Sequence, residues 1–310
     1  MKKKLDFSKP LVVLAPLAGY TDLPFRSVVK KFGADLTISE MISSNALVYK
    51  SARTLKMVEK SPTEDPYFVQ IAGNSVDLVK AAVEILNDVE GIDGIDLNCG
   101  CPAPKVFNHG SGSNLLGDLK KLEEILSTIK KYSKKEYTSA KVRLGVNEKI
   151  PVEIGKVVEA CGVDFVSVHG RTRAGKYKAP VDYDAIKQMK EAINVPVIAN
   201  GDIKDYKKAK EVLEYTKADG IMIGRGAIGK PWVFYQLKHE LEDIDNSIKK
   251  EIILEHYDKM LEFHGAYGAV IFRKLLHAYS KGYTGANEFR DLVNGISDTK
   301  IMRDLIESFF

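Results

Sequence analysis

The chain has 310 residues, of which 45% are hydrophobic and 28% charged, a balance that supports a large buried core. It excludes extended disorder, a collagen-like repeat and a small disulfide scaffold. With 46 basic and 42 acidic side chains the formal charge is only +4, too small by itself to announce a nucleic-acid partner. From residue 11 to 226 one pattern recurs: a short β-branched run ending in Gly or a polar residue, then a helical stretch. The runs are Leu11–Gly19, Leu36–Glu40, Tyr67–Gly73, Gly94–Gly100, Ala140–Val146, Phe165–Gly170, Val195–Gly201 and Gly220–Gly226. Most are nearly continuous apolar segments, as expected for parallel strands covered on both faces. Between them, segments such as Ser75–Asp88, Leu119–Tyr132, Val152–Cys161 and Asp205–Tyr215 have helical period. Eight such units over about 220 residues predict an α/β fold, a (β/α)8 TIM barrel, for which about 250 residues is typical. A doubly wound sheet is the competitor, but no GxGxxG follows the first strand.

Beyond Pro231 the grammar changes. Amphipathic stretches at Ile248–Phe263, Ala269–Lys281, Ala286–Gly295 and Asp298–Phe309 follow one another without a convincing strand run. They predict a small C-terminal helical bundle packed on the barrel, with the catalytic domain expected over 1–240 and the helical domain over 241–310. Residues 1–60 carry 11 basic groups against 5 acidic, and residues 231–310 carry 10 against 13. Any RNA-facing surface is therefore built from local patches. No apolar run approaches the roughly 18–20 residues of a membrane helix. The start, Met1-Lys2-Lys3-Lys4-Leu5-Asp6, lacks the apolar stretch of a signal peptide, so a cytoplasmic location is expected. Cys99, Cys101 and Cys161 are an odd number of cysteines and read as free thiols in a reducing compartment.

The working face of such a barrel lies at the carboxyl ends of its strands, where this chain concentrates polar residues and glycine. Asn200-Gly201-Asp202 and Gly224-Arg225-Gly226 end the seventh and eighth runs, an arrangement that lets backbone N–H groups approach a phosphate, with a helix N-terminus and Arg225 adding charge. In Ala140-Lys141-Val142-Arg143-Leu144, period-two alternation sends Lys141 and Arg143 to one side. Inside a barrel two cations require accepting partners. A reduced flavin is one candidate and an opposing carboxylate such as Glu40 is the other. Asn98-Cys99-Gly100-Cys101-Pro102 has too few ligands nearby for zinc, so no metal is expected. Cys101, between Gly and Pro at a strand end, is placed to act as nucleophile or proton donor. His169, followed by Gly170-Arg171-Thr172-Arg173, reads as a ligand contact more readily than as a core histidine.

Taken together, Ala15-Pro16-Leu17-Ala18-Gly19-Tyr20-Thr21-Asp22-Leu23-Pro24-Phe25-Arg26, Asn98-x-Gly100-Cys101-Pro102, Lys141-x-Arg143, His169-Gly170-Arg171-Thr172-Arg173 and Asn200-Gly201-Asp202-Ile203 closely resemble the tRNA-dihydrouridine synthases, in order and over nearly the whole chain. Among them the chain looks most like the bacterial B-type subfamily. The resemblance implies an FMN-bearing barrel with a helical tRNA-binding domain. Pro16, Leu17 and Ala18 would lie against the isoalloxazine, Gln70 and Lys141 would bond its polar edge, and His169 would contact the flavin. Asn200, Gly201, Asp202, Gly224 and Arg225 would hold ribityl and phosphate. Cys101 would be the catalytic acid, with Asn98 and Arg171 near the target uracil.

The chemistry implied is reduction of FMN by NADPH or NADH, hydride transfer to uracil C6, and protonation of C5 by Cys101. The uridine would have to leave the tRNA fold to reach the site. Lys105, Arg171 and Arg173 would contact tRNA, as could Arg273 and Lys274. No membrane and no obligate protein partner are implied. Four positions depart from the usual pattern: Cys99 for a larger apolar residue, Asn108 for a basic one, Gly175 for glutamine and Tyr183 for tryptophan. The rival readings are a dihydroorotate-dehydrogenase-like flavoprotein acting on a free pyrimidine and a non-catalytic RNA-binding barrel.

Overall fold

A computed structural model describes residues 4–49 and 51–310, the side chain of Arg53 excepted; the basic start at Met1-Lys2-Lys3 lies outside them. The strands are β1 (Leu11–Leu14), β2 (Thr37–Ile38), β3 (Ile42–Ser43), β4 (Tyr67–Ala72), β5 (Gly94–Cys99), β6 (Tyr137–Arg143), β7 (Phe165–His169), β8 (Val197–Asn200) and β9 (Gly220–Ile223). All pair in parallel, in the order β1-β9-β8-β7-β6-β5-β4-β2, with β3 also on β4. A bridge between Val13 and Leu36 returns the sheet to its start, with Leu14 N donating to Leu36 O at 3.1 Å. The closed (β/α)8 barrel is the fold the repeating pattern predicts.

One expected strand is split. Thr37 and Ile38 pair with Tyr67 and Phe68, and Ile42 and Ser43 pair with Ile71 and Ala72, so β2 and β3 together fill a single barrel position. At the break Gln70 N donates to Ser39 Oγ at 3.0 Å instead of to a strand carbonyl. The bulge turns Glu40 toward the mouth, where its carboxylate accepts from Gly19 N.

The barrel interior has two sectors. Val13, Leu36, Ile38, Phe68, Phe165, Ile198 and Met222 make an apolar cluster. Gln70, Asp96, Ser139 and Ser167, all fully buried, make a polar one. Outward residues of the same strands, among them Val69, Ile71, Ile95, Leu97, Val142 and Val168, pack against the surrounding helices, as alternation requires.

The carboxyl-terminal segment forms four helices, Asn246–His264, Tyr267–Tyr279, Ala286–Gly295 and Thr299–Phe309. Ile252, Tyr257, Met260, Phe272, Leu276, Phe289, Val293, Met302 and Ile306 enclose a separate core, which also takes in Val28, Phe32 and Trp232. The helices are therefore seated on the first barrel helix, Leu23–Lys31. Asp22 caps that helix, accepting from Phe25 N at 3.2 Å. From it Arg26 donates Nε to Glu64 Oε1 at 2.8 Å, with both side chains buried. The remaining oxygen valences of Glu64 take Thr37 Oγ1 and Ser61 N, each at 2.8 Å. A buried ion pair completed in this way turns strongly destabilising when one partner is removed. Glu64→Ala is expected to lower unfolding stability by about 3–5 kcal/mol in a denaturant titration, because the Arg26 charge stays behind.

Candidate active site

At the carboxyl ends of the strands lies a cavity of about 1830 Å³. Pro16, Leu17 and Ala18 form one wall, held in a tight loop by Thr21, whose Oγ1 accepts from Leu17 N at 2.8 Å. Gln70, Asn98, Cys101, Lys141 and His169, from β4 to β7 and the turn after β5, also line it, and Asn200, Gly201, Asp202, Gly224 and Arg225 line it at the corner made by the ends of β8 and β9. At that corner the two loops meet backbone to backbone. A Cβ at position 226 would lie 2.3 Å from Ile203 O, so Gly226 is required by the close approach. The cavity continues past Lys230 and Trp232 to Tyr279, Lys281 and Tyr283 of the helical segment.

Lys141 Nζ donates to Asn200 Oδ1 at 3.0 Å, and Asn200 is in turn oriented by donating Nδ2 to Met222 O at 2.7 Å. Burial, helped by Arg143, pulls the ammonium down to about 8, against the opposing pull of Asp96 and Cys101. Glu40, the carboxylate weighed as a partner for these cations, instead holds Gly19 N. Arg143 is committed to backbone: Nε to Gly100 O at 2.7 Å and Nη1 to Thr172 O and Lys176 O, both at 3.1 Å. It ties the loop after β5 to the loop after β7.

Cys101 is fixed on both sides. Its N–H donates to Asn98 Oδ1 at 2.9 Å, and its C=O accepts from Ser113 Oγ at 2.8 Å and Ser113 N at 3.2 Å. Gly112 permits this contact: a Cβ there would come within 3.0 Å of Cys101 O, and its φ is +61°. Cys101 is half-buried, whereas Cys99 on the outward face is fully buried. Burial pushes the Cys99 thiol well above its ordinary range, which makes it inert beside its neighbour.

His169 Nδ1 is buried without a hydrogen-bond partner among the described residues. Burial, with Lys141, Arg143, Arg171 and Arg225 close by, pushes the imidazolium down to about 2, so the ring is neutral. The group missed from the sequence is Asp96, whose carboxyl burial raises to about 6. Its signal was available: in Gly94-Ile95-Asp96-Leu97-Asn98, alternation puts Asp96 on the inward face with Asn98. Tyr177 is a second addition to the cavity wall. Its ring lies 4.2 Å from the Arg225 guanidinium carbon and 5.4 Å from that of Arg143.

Several residues expected to contact the substrate lie outside the cavity lining. Arg171 is outside the cavity lining and buried, and its guanidinium donates to both carboxylate oxygens of Asp202 and to Ala179 O. Those hydrogen bonds hold the Asp202 carboxyl below its usual range. Asp202 also accepts from Arg225 at 3.2 Å, so Arg171 braces the corner from behind. Lys105 is exposed on the short helix Pro104–Asn108, outside the cavity lining. Arg173 stacks its guanidinium 3.8 Å from the Phe107 ring centre. Arg273 donates to Ile296 O, and Lys274 to Gly19 O. Tyr183 donates its hydroxyl to Gly201 O at 2.7 Å. Among the described residues no group of three or more His, Cys, Asp or Glu side chains is placed to hold a metal ion. No described helix is long and apolar enough to cross a membrane.

Fold and site together define a (β/α)8-barrel enzyme working at its strand carboxyl ends. Residues 13–309 match the model of the family "Dihydrouridine synthase (Dus)". Over 308 residues the chain is 54% identical to a Helicobacter pylori protein named "Probable tRNA-dihydrouridine synthase", covering 99% of this chain and 94% of that one. It is 39% identical over 308 residues to "tRNA-dihydrouridine synthase B" of Vibrio parahaemolyticus, covering 96% and 95%. A solved 2-naphthoyl-CoA reductase has a TM-score of 0.58 at 12% identity, over 74% of this chain and 50% of that one, a likeness of fold. The chain belongs to the dihydrouridine synthase family, and so to the flavin-dependent oxidoreductases.

Because the His169 imidazolium is disfavoured so strongly, its ring nitrogens are expected to show no titration in 15N NMR between about pH 5 and pH 8, the range in which an unperturbed histidine changes charge.

Proposed function

We propose that the chain is an FMN-dependent tRNA-dihydrouridine synthase that reduces the C5=C6 bond of D-loop uridines with NADPH or NADH. The observation that carries this reading is the pinned Cys101 turn on the same cavity as Lys141 and the unpartnered His169 Nδ1.

The residues present fit FMN. Lys141 spends one bond on Asn200 and has further donors for the polar edge of an isoalloxazine. His169 offers an unsatisfied ring nitrogen, and Gln70 lies beside them. Pro16, Leu17 and Ala18 offer apolar surface for the ring face. Charge for a phosphate comes from Arg225 and from Lys204, which also lines the corner. The helix after β8, Tyr206–Thr216, has its first turn capped by Asp205, which accepts from Lys208 N at 2.8 Å, so the anion falls to the loops Gly201–Lys204 and Gly224–Gly226. When bound, FMN supplies the two-electron chemistry that side chains lack.

The chain's own residues do the rest. Asn98, with one amide hydrogen on Gln70 Oε1 at 2.7 Å, has a second to offer a uracil oxygen. Cys101 holds the proton destined for uracil C5. The cavity running on to Tyr279 and Tyr283 supports a tRNA-binding role for residues 241–310, with the uridine extruded toward the barrel. Lys105 and Arg173 are proposed tRNA contacts on the rim, and Arg171 acts there through Asp202. Such a substrate places the enzyme in the cytoplasm.

Mass mapping tests the reading. Protein supplied with FMN, NADPH and tRNA is expected to add about two daltons to a D-loop uridine, the mass of the two hydrogens transferred. Cys101→Ala is expected to keep flavin yet slow single-turnover uridine reduction by about 100-fold or more. Failure to take up FMN, or full turnover by that variant, would overturn the respective assignment. Since the Lys141 ammonium is lost as pH rises through about 8, flavin reduction by NADPH is expected to slow across that range. Lys141→Met is expected to be slow below it too, and to lack the step.

A further inference from the structure

Asp96 is a fully buried carboxyl that is not itself part of the cavity lining but bonds to Gln70, which is. A side chain of this kind opposes folding, since its desolvation is recovered only through complete hydrogen bonding. Its two oxygens take Gln70 Nε2 at 2.7 Å and Ser139 Oγ at 2.6 Å. A carboxylate only accepts, so the nitrogen end of the Gln70 amide must face it. Gln70 Oε1 then faces Asn98 and accepts Nδ2 at 2.7 Å. Asn98 Oδ1 is left to accept the backbone N–H groups of Gly100 at 3.2 Å and Cys101 at 2.9 Å. The chain of bonds ends in an acceptor-only group at one side and donor-only groups at the other. A single orientation of both amides satisfies every member, and a half-satisfied network would be worse than none.

We propose that Asp96 is a positioning residue for the active site: from beneath the cavity it fixes the Gln70 and Asn98 amides and, through Asn98, the turn that carries the Cys101 thiol. An apolar side chain could fill the same space without desolvating a charge. The carboxylate's return is found at the cavity, where it decides which amide atoms meet a ligand and how firmly the thiol is held. The consequence for uridine reduction rests on the function proposed above; the consequence for the thiol does not.

The test is a double-mutant cycle on Asp96→Asn and Asn98→Ala, read first as the rate at which iodoacetamide alkylates Cys101 in the full chain, with fragment-ion mass spectrometry separating Cys101 from Cys99. Asp96→Asn keeps shape and loses the acceptor-only character. It is expected to melt at or above the wild-type temperature at neutral pH and to raise Cys101 alkylation by about threefold or more, the scale of coupling between contacting groups. In the Asn98→Ala background the same substitution is expected to change the rate less than about twofold, because the path to Cys101 is already cut. Single-turnover uridine reduction by pre-reduced enzyme is expected to fall about tenfold in Asp96→Asn, again without adding to the Asn98→Ala loss.

An unchanged alkylation rate, or an equal effect in both backgrounds, overturns the proposal. If Asp96→Asn does not fold, Ser139→Ala decides, with a smaller rise in alkylation expected and no rise overturning it. Neither flavin nor tRNA enters the thiol measurement. A wild-type protein that fails to reduce uridine therefore removes the proposed function and leaves this result standing.

Discussion

Lys141 stands where strand alternation sends a side chain into a closed barrel, and an isolated ammonium there would cost several kcal/mol. The rest of the mouth is arranged around that constraint. Asn200 Oδ1 receives the charge directly, and its own amide nitrogen is tied to Met222 O, so the acceptor cannot turn away. Asp96 opposes the loss of the proton from a neighbouring strand. The compensation stops short of completeness: an ammonium has three donors, one of which is accounted for by Asn200. A site built in this way is prepared for an acceptor-rich ligand and is electrostatically unfinished without one.

The same constraint divides the arginines from the lysine. Arg143 and Arg171 are more fully buried than Lys141, yet they act as braces. A planar guanidinium with five donors can satisfy several carbonyls at once. Arg143 therefore spans Gly100, Thr172 and Lys176, and Arg171 grips Asp202 and Ala179. Both stabilise loops that carry other functional groups. Their sequence neighbours are motif residues, so proximity in sequence to a ligand contact is no guide to which side of the wall a guanidinium takes.

The barrel was legible because parallel strands buried on both faces are short apolar runs, and eight of them recur at a spacing that admits a helix between. What alternation could not reveal was β2. Its break depends on the Ser39 hydroxyl replacing a ladder carbonyl, and nothing in Leu36–Glu40 distinguishes a serine that does so from one that does not. Asp96 was legible in principle but lay inside a run otherwise read as apolar. Cys101, Lys141 and the glycines at the ends of β8 and β9 were accessible because their residue types are unfavourable in a strand or turn without a purpose. Arg273 and Lys274 stayed open between two readings, since an exposed-looking cation on an amphipathic helix has the same sequence signature whether it meets RNA or a carbonyl of its own chain.

Lys274 also explains why the segment from Ala15 to Arg26 reads as one motif. Its first part, Pro16 to Ala18, is cavity wall, and Thr21 holds that loop shut. Gly19 is gripped from two sides, its N–H by Glu40 and its carbonyl by Lys274 of the helical segment. Asp22 starts the helix on which the bundle sits, and His256 of the bundle packs its ring 5.2 Å from Phe25. Arg26 anchors the far end through Glu64 and returns a bond to Thr21 O at 3.2 Å. Twelve consecutive residues thus join the cavity wall to the barrel core and, through Gly19 and Phe25, to the helical segment. The helical segment meets this motif at Gly19 O through Lys274, at Asp22, 3.6 Å from His264 Nε2, and at Phe25, while the buried Arg26–Glu64 pair anchors the helix between them to the barrel.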